Sequence, residues 1–271
     1  MNKKELTKEI KFHKFLIKNF KKAVNDFEMI QNGDKIILGF SGGKDSTTLA
    51  LLLKYFQTLG QKDFEFIACV VNYGMEGESY QKQIDQLKRF DIEVLEYKTE
   101  IFELHKTKIN KDSSFCSFFS RMRRGKLTEI ARKKGFNKIA LGHHLDDAVE
   151  SLFMGLLYNG KIRSLPPIYK NKHNQTIIRP LCFLREKQLS DFTKKNSFET
   201  AGDEMCPGIA VGKMPTARYE TKKLLNQIEK ENPQVFTSFK KALANIDKDS
   251  LYSKDDLKYF QKKKFWKIFG K

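Results

Sequence analysis

Residues 41–46 read Ser-Gly-Gly-Lys-Asp-Ser and constrain the fold more than any other part of the chain. They follow an apolar run at residues 35–40 and precede a helix-like stretch that begins at Thr47. A glycine-rich turn between a strand and a helix lets backbone N–H groups approach phosphate oxygens, and the helix adds its positive N-terminal end. The sequence therefore predicts a phosphate cradle, and nucleotide binding is the first hypothesis.

The spacing of this loop differs from the Walker pattern, in which four residues separate the first glycine from a Gly-Lys-Ser/Thr ending. The loop is shorter, and it places the carboxylate of Asp45 beside the predicted phosphates. Like charges repel there unless a cation bridges them, so we expect Mg²⁺ at Asp45. An ordinary strand-to-helix turn is the alternative, and the complete hexapeptide in this context argues against it.

Strands and helices alternate along most of the chain. The hydrophobic pattern predicts strands at residues 35–40, 64–72, 92–97, 138–142 and 176–181, and helices at residues 47–59, 77–90, 118–134 and 147–158. This alternation predicts an α/β fold with a doubly wound parallel sheet, whose ligands bind at the carboxyl ends of the strands.

The ends of the chain are predicted to be helical. One amphipathic helix is expected over residues 4–27, and a Lys-rich helical region begins near residue 216. We therefore expect an N-terminal helical segment (1–31), a nucleotide-binding and catalytic domain (32–212) and a C-terminal helical region (213–271).

Charge and cysteine content narrow the class of protein. The 51 Lys and Arg residues exceed the 33 Asp and Glu residues, which gives a net charge of +18. Such an excess favours nucleic acid as a partner, with a compositional bias toward lysine as the alternative.

Four scattered cysteines do not form a disulfide scaffold, and no signal peptide or membrane-spanning run is visible, so we expect a cytoplasmic protein without a membrane partner. Cys69 and Cys182 are expected to be core residues.

A second motif follows the strand predicted at residues 138–142. Residues 142–150 read Gly-His-His-Leu-Asp-Asp-Ala-Val-Glu, and helical spacing brings the three carboxylates close together. Acids stabilise a helix N-terminus by roughly 0.3–1 kcal/mol each. Helix capping explains one or two of these acids, but it does not explain two histidines at the edge of a nucleotide crevice.

At these motifs the chain resembles the PP-loop ATP pyrophosphatases and, within that superfamily, the tRNA 2-thiocytidine synthetases. The resemblance runs from about Lys35 to Arg218 and includes Cys-Ser-Phe-Phe-Ser-Arg-Met-Arg-Arg-Gly at residues 116–125 and Ile-Arg-Pro-Leu at residues 178–181. It implies an enzyme that cuts ATP between the α- and β-phosphates and adenylates the 2-oxygen of a cytidine in the tRNA anticodon loop. Sulfur then replaces that oxygen.

The resemblance also implies roles for individual residues. Lys44, Asp45, Cys116 and Cys206 would act in catalysis. ATP would be bound by Ser41, Gly42, Gly43, Lys44, Asp45, Ser46, Gly142, His143, Asp146 and Asp147. The tRNA would be bound by Arg121, Arg123 and Arg124, for which exposed, solvated arginines are the alternative.

The chain departs from the family at one cysteine. In the family a Cys-x-x-Cys pair and a downstream cysteine hold an iron-sulfur cluster, but Phe119 stands at the second position here. Clusters are normally held by three or four thiolates, so Cys116 and Cys206 would hold one poorly without another ligand. The same pair suits a second route, in which one thiol carries a persulfide and the other resolves the intermediate as a disulfide. The sulfur donor would be a desulfurase or sulfide.

Other functions stay open at this point. A PP-loop enzyme of the 2-thiouridine type would thiolate a different base, and one of the lysidine type would use an amine and need neither Cys116 nor Cys206. A non-catalytic RNA-binding protein with a PP-loop would keep the positive charge without the chemistry. A homodimer is a further expectation.

Overall fold

The computed structural model describes residues 1–108, 115–202, 205, 207–210, 216–247 and 249–251, except for the side chains of residues 106, 108, 116, 209, 210 and 216. The chain divides into two compact units, Met1–Gln227 and Ile228–Lys271. The first unit contains the sheet and both sequence motifs.

Six strands form one sheet among the described residues, in the order β3-β2-β1-β4-β6-β5. Their bounds are β1 (Asp34–Phe40), β2 (Phe64–Asn72), β3 (Val94–Lys98), β4 (Lys138–Ala140), β5 (Ile168–Lys170) and β6 (Thr176–Ile178). Neighbouring strands are parallel except β5 and β6, which form an antiparallel hairpin at one edge. The predicted α/β fold with a mainly parallel sheet is confirmed. Strand β5 was not predicted, because three residues are too short to show a period of two.

Helices precede, alternate with and follow these strands along the chain. Their bounds are α1 (Lys3–Glu9), α2 (Lys14–Asp26), α3 (Lys44–Thr58), α4 (Gln81–Lys88), α5 (Ile101–Lys108), α6 (Phe115–Lys133), α7 (Leu145–Asn159), α8 (Glu186–Lys195), α9 (Pro207–Ala210), α10 (Thr216–Glu231) and α11 (Val235–Ala242). Helices α5 and α8 lie where none was predicted.

The prediction of a single N-terminal helix over residues 4–27 is wrong, because two helices cover this segment. The backbone of Ile10 is extended and ends α1, and α2 starts after His13, whose Nδ1 accepts a hydrogen bond from the backbone N–H of Phe15 at 3.2 Å. Ile10 is fully buried. Packing of this residue sets the break, and helical periodicity alone does not reveal it.

Alternate residues of the central strand enter two separate cores. Ile36 and Leu38 pack on the face covered by α1–α4 and α8, whereas Ile37 packs on the face covered by α5 and α6. Because both faces are covered, the strand reads as a nearly continuous apolar run. Cys69 and Cys182 are both buried, as predicted, and the structure places them on opposite faces of the sheet.

The strand order opens a crevice at the carboxyl ends of β1 and β4. Strand β2 lies on one side of β1 and β4 on the other, so the chain leaves these two strands in opposite directions. In parallel α/β sheets, a ligand site forms at such a switch point. The two sequence motifs follow β1 and β4, and the topology therefore brings them to the same edge.

The second unit is described through residue 251, with a gap at residue 248. Its helix α11 follows a turn in which the side chain of Asn232 accepts a hydrogen bond from the backbone N–H of Gln234 at 3.1 Å. Residues 252–271 of the predicted C-terminal helical region lie outside the described residues. In the parts of the chain that the structure describes, no helix has the length and apolarity needed to cross a membrane.

A buried ion pair joins β1 to β4 and yields a test of the fold. The Nζ of Lys138 lies 2.6 Å from Oδ2 of Asp34 and donates to the backbone carbonyl of Met29 at 3.0 Å. Replacing Lys138 with Met leaves the carboxylate buried without its cation. We expect the free energy of unfolding, measured by urea denaturation, to fall by about 3 kcal/mol.

Lys35→Met is the matched control, because Lys35 lies on β1 and forms an exposed ion pair with Glu65 at 3.6 Å. Its loss should cost less than about 1 kcal/mol. Equal losses in the two variants would contradict a structural role for the buried pair.

Candidate active site

The glycine-rich loop turns from β1 into α3 at the crevice. Gly42 has a φ of +71°, and a Cβ at this position would lie 3.0 Å from the Cβ of Ala201. Glycine is therefore required both by the backbone and by the packing. Gly43 is the N-cap of α3 without a side-chain cap, and a Cβ there would meet only the Oγ of Ser41, at 3.5 Å. The first turn of α3 therefore has no side-chain cap on its N–H groups, which leaves them able to bind an anion.

Two serines and a neighbouring segment hold the loop in this shape. The Oγ of Ser46 donates to the carbonyl of Gly43 at 3.0 Å and accepts from the N–H of Ser41 at 3.2 Å. The carbonyl of Gly42 accepts from the N–H of Ala201 at 2.8 Å. The cradle is therefore organised before any ligand binds, which lowers the entropic cost of binding.

The end of β4 packs directly on this helix. A Cβ at Gly142 would lie 3.2 Å from both the carbonyl carbon of Asp45 and the nitrogen of Ser46. Only glycine allows the two backbones to approach so closely. The second motif therefore contacts the first turn of α3.

His144 and Asp147 cap α7 reciprocally. The N–H of Asp147 donates to Nδ1 of His144 at 3.4 Å, and the N–H of His144 donates to Oδ2 of Asp147 at 3.0 Å. Asp146 has other partners, accepting from Nε of Arg185 at 3.0 Å and from the N–H of Glu186 at 2.8 Å. Capping thus accounts for Asp147, whereas Asp146 ties α7 to the start of α8.

Arg218 on α10 neutralises two acids of α7. Its Nε donates to Oε2 of Glu150 at 2.8 Å, and its Nη2 donates to Oδ1 of Asp147. Glu150 is only 4% exposed. Sequence reasoning gave Arg218 no role. Buried acids signal that a cation is needed, but they do not tell which distant residue supplies it.

Lys44 is held beside the crevice by two carboxylates. Its Nζ lies 3.1 Å from Oε1 of Glu186 and 3.5 Å from Oδ2 of Asp45. Burial lowers the pKa of Lys44, but the charges of Asp45 and Glu186 outweigh burial and raise the pKa above its usual value. Glu186 also binds Lys222 at 2.6 Å. Lys44 is therefore charged at neutral pH, and Glu186 is a second residue that sequence reasoning missed.

Asp45 has the properties expected of a cation ligand. Its Oδ1 is buried and has no hydrogen-bond partner among the described residues. Burial raises the pKa of Asp45, although His144 and Lys44 lower it in part. No group of three or more Asp, Glu, His or Cys in the described ranges forms a complete metal site. The residues therefore fit an Mg²⁺ ion that takes its other ligands from nucleotide phosphates.

The first histidine of the motif is neutral at pH 7. Burial lowers the pKa of His143 to about 4, and the charges of Arg179 and Arg124 add to this effect against the opposing charge of Asp147. Nε of Arg179 donates to Nδ1 of His143 at 3.4 Å. Arg179 is 2% exposed and belongs to the Ile-Arg-Pro-Leu segment, but sequence reasoning assigned it no function.

The second histidine behaves in the opposite way. Burial lowers the pKa of His144, but Asp146, Asp147 and Asp45 together outweigh burial and raise the pKa above its usual value. Its Nε2 lies 3.4 Å from Oδ2 of Asp147 and 3.9 Å from Oδ2 of Asp45. Adjacent histidines therefore differ in charge in the range around pH 6.

The three arginines of α6 line two different cavities. Arg123 lines a cavity of about 230 Å³ beside Ser41 and Gly43, which we call the loop cavity, and its guanidinium lies 5.9 Å from the ring centroid of Tyr73. Arg121 and Arg124 line a separate cavity of about 340 Å³. The predicted RNA-binding residues thus do not form one patch.

Of the two cysteines with predicted roles, the structure describes only the backbone of Cys116. Cys116 lies in the first turn of α6, which begins at Phe115 rather than at the predicted residue 118, and its side chain is outside the described residues. Cys206 also lies outside them. Its chain neighbours Met205 and Pro207 line the loop cavity.

The other described positions do not complete an iron-sulfur site. Phe119, where the family has its second cysteine, is 2% exposed and packs against Tyr73 with ring centroids 5.8 Å apart. Cys69 and Cys182 are buried on opposite faces of the sheet, and burial raises the pKa of Cys69 to about 12. The chain therefore has at most two thiols for a cluster that needs three or four.

The contrast between the histidines can be measured by an NMR pH titration of the ring resonances. We expect His143 to titrate near pH 4 and His144 above its ordinary pKa of 6.5. His143→Gln and His144→Asn would assign the signals. Two titrations near pH 6.5 would contradict the burial and ion pairing described above.

The two histidines also affect stability in opposite directions. The unfolded chain protonates His143 below pH 6.5 and the folded chain only near pH 4, so this residue destabilises the fold as the pH falls through that window. The contribution of His144 is present below pH 6.5 and is lost as the pH rises through its raised folded pKa. In urea denaturation, His143→Gln should therefore lose less stability than the wild type between pH 6.5 and 4.

Comparison with known proteins agrees with this geometry. Residues 12–206 match the family described as the PP-loop domain. The tRNA-cytidine(32) 2-sulfurtransferase of Coxiella burnetii (strain RSA 331 / Henzerling II) is 35% identical over 247 residues, which cover 90% of this chain and 94% of that protein. The protein of the same name from Geobacter metallireducens is 33% identical over 235 residues, with coverages of 86% and 90%.

A solved structure supports the fold. The U34-tRNA thiolase NcsA from Methanococcus maripaludis, determined with its [4Fe-4S] cluster, superposes with a TM-score of 0.65 at 22% identity and covers 86% of this chain and 80% of its own. The family match and the curated relatives each span most of the chain. The chain therefore belongs to the PP-loop family, in the branch of the tRNA-cytidine(32) 2-sulfurtransferases.

Proposed function

We propose that this chain is an ATP-dependent tRNA sulfurtransferase, which adenylates the 2-oxygen of a cytidine in the anticodon loop and replaces it with sulfur to give 2-thiocytidine. One observation carries the proposal: the glycine-rich loop and the Gly-His-His-Leu-Asp-Asp motif pack against each other through Gly142 at the carboxyl ends of β1 and β4. The curated relatives favour cytidine 32 as the target and favour thiolation over lysidine formation or RNA binding alone.

The triphosphate would lie against the first turn of α3. Its oxygens would accept hydrogen bonds from the backbone N–H groups of Lys44, Asp45 and Ser46, which follow the uncapped Gly43. Nζ of Lys44 would leave Glu186 and bind a phosphate oxygen instead. When bound, Mg²⁺ would be held by Asp45 and the phosphates, and it neutralises charge on the departing pyrophosphate.

The second motif would position the reaction centre from the opposite wall. The 2-oxygen of cytidine attacks the α-phosphorus, the bond to the β-phosphate oxygen breaks, and pyrophosphate leaves. His143 is neutral and fixed by Arg179, so it can hydrogen-bond the nucleotide without adding charge. Asp146 and Asp147 would act through their partners, holding α8 and α10 against the crevice.

Sulfur transfer would use Cys116 and Cys206 without a cluster step. The terminal sulfur of a persulfide on one cysteine attacks C2, and AMP leaves with the former 2-oxygen. The second thiolate then attacks the inner sulfur, which breaks the S–S bond, releases the 2-thiocarbonyl and forms a disulfide. A thiol reductant returns both cysteines to the thiol form. A cysteine desulfurase would supply the sulfur: the outer sulfur of its own persulfide passes to the thiolate of the first cysteine, and the desulfurase cysteine leaves as a thiolate.

The partner and location follow from this chemistry. The tRNA is the large substrate, and the enzyme would work where mature tRNA and ATP meet, in the cytoplasm. The homodimer stays a prediction from the sequence.

Nucleoside mass spectrometry tests the proposal. Purified chain, Mg-ATP, a cysteine desulfurase with its cysteine substrate, a thiol reductant and tRNA that lacks thiolation should yield 2-thiocytidine and pyrophosphate. Gly42→Ala should lower both products at least ~100-fold, because it distorts the cradle. Gly60→Ala is the control, since Gly60 also has a positive φ, +63°, but lies in open space. Pyrophosphate without 2-thiocytidine would indicate a different modification, and neither product would indicate a binding protein.

The cysteine step has its own test. Cys116→Ser and Cys206→Ser should each abolish 2-thiocytidine formation while pyrophosphate release continues, because adenylation needs no thiol. Cys182→Ala is the control and should keep both activities. After a single turnover without reductant, peptide mass spectrometry should find a disulfide between Cys116 and Cys206. Thiolation at the normal rate by either serine variant would refute this step.

A further inference from the structure

Arg121 and Arg124 line a second cavity, separate from the loop cavity. We call it the hairpin cavity, because the β5–β6 hairpin forms its second wall, opposite α6. Its rim carries Arg121, Arg124, Lys172 and His173. Its floor is apolar and consists of residues from α6, the sheet and the segment after β4, namely Leu127, Ile139, Leu141 and Ile177. A charged rim over an apolar floor is the arrangement of a ligand pocket.

The rim of this cavity carries positive charge. Among the described residues that line the cavity, none is an acid. Glu129, on the same helix, is paired with Lys126 at 3.2 Å and with Lys133 at 2.7 Å. The rim is therefore prepared for an anionic ligand.

The hairpin turn is organised to hold two of these groups in place. The Oδ1 of Asn171 accepts hydrogen bonds from the N–H of His173 at 2.9 Å and of Gln175 at 3.1 Å. This local bonding fixes the turn that carries Lys172 and His173. Both side chains are exposed. The second wall of the cavity is thus a defined structure, as a specific subsite requires.

The cavity adjoins the candidate active site. Tyr169 lines it and contacts the guanidinium of Arg179, which lies 5.2 Å from the ring centroid. Arg179 in turn donates to His143. Leu141, on the floor, directly precedes Gly142 in the chain. A ligand in the hairpin cavity would therefore lie next to the wall of the nucleotide crevice.

We propose that the hairpin cavity binds a nucleotide of the RNA strand that flanks the reacting cytidine. Arg121, Arg124 and Lys172 would contact its phosphates, and the apolar floor would receive its base. This inference rests on the proposed function, which supplies a tRNA loop as the substrate. Proteins recognise single-stranded RNA by seating splayed bases in pockets, whereas duplex RNA is read along its surface. At about 340 Å³, the cavity has room for a single nucleotide but not for a helix.

Arg123 has a different position on the same helix, because it lines the loop cavity. The two cavities would thus divide the RNA contacts. The loop cavity would receive the reacting base, and the hairpin cavity would hold its neighbour.

The first test measures the affinity of an anticodon stem-loop RNA as a function of salt. The triple variant Arg121→Ala, Arg124→Ala, Lys172→Ala should weaken binding at least ~10-fold at 0.15 M salt. The slope of log affinity against log salt should fall by about 2, since each single-strand phosphate contact contributes about 0.7. The affinity for Mg-ATP, measured by calorimetry, should not change.

The matched control removes three charges at the C-terminal end of α6 and just after it. Arg132, Lys133 and Lys134 are exposed and lie outside the cavity. Their simultaneous change to Ala should lower the slope by less than about 1. If the two triple variants weaken binding equally, the rim contributes only nonspecific electrostatic attraction and the proposal is overturned. Unchanged RNA binding by the rim variant would overturn it as well.

The second test fills the cavity without changing charge. Gly125 lines it, and a Cβ there meets nothing within 4 Å, so a larger side chain can be added without a clash at the helix. Gly125→Leu should weaken RNA binding about 10-fold with an unchanged salt slope, and Gly125→Ala should bind as the wild type does. Normal affinity of Gly125→Leu would overturn the seating of a base in the cavity.

Thiolation by the wild type separates the two proposals. If the wild type forms 2-thiocytidine and the rim variant binds RNA normally, the subsite is refuted and the proposed function stands. If the wild type forms none while the rim and Gly125→Leu variants lose affinity, the function is refuted and the subsite stands.

Discussion

The structure depends on the contact between the end of β4 and the first turn of α3. At Gly142 the backbone comes so close to Asp45 and Ser46 that no side chain fits between them. Two helices, α3 and α7, start at this contact, and their positive ends meet at one edge of the sheet. An edge with two helix N-termini attracts anions. It also tolerates the cluster of acids that both motifs place there.

Those acids in turn hold the later part of the first unit in place. Asp146 binds Arg185 at the start of α8, and Asp147 and Glu150 bind Arg218 of α10. The carboxylates of these pairs are largely buried although Arg218 is half exposed. Removing an arginine would therefore leave an uncompensated buried charge, so these contacts hold the helices more strongly than fully exposed ion pairs would. The resulting walls give the adjacent histidines different environments. One is neutral beside a buried arginine, and the other lies among carboxylates.

In the proposed function, helix α6 would link this site to the RNA. It begins at the residues that would supply a sulfur-carrying thiol, and its arginines face two cavities. A helix with 3.6 residues per turn sends neighbouring side chains in different directions, so Arg123 and Arg124 cannot face the same way. The arginines that form a single basic run in the sequence therefore line two different cavities.

The sequence by itself determined the glycine-rich loop, the alternation of strands and helices along the chain, and the family, because these depend on local rules. Short segments contain all the information needed for a strand's hydrophobic period, for a glycine with positive φ and for a motif. Only the tertiary structure decided that Arg218 pairs with acids 68 and 71 residues away, that Glu186 holds Lys44, and that the N-terminal helix breaks at Ile10. The physical reason is burial. A charged side chain needs a partner when packing removes it from water. Because packing joins segments that are distant in the chain, the partner cannot be read from the local sequence.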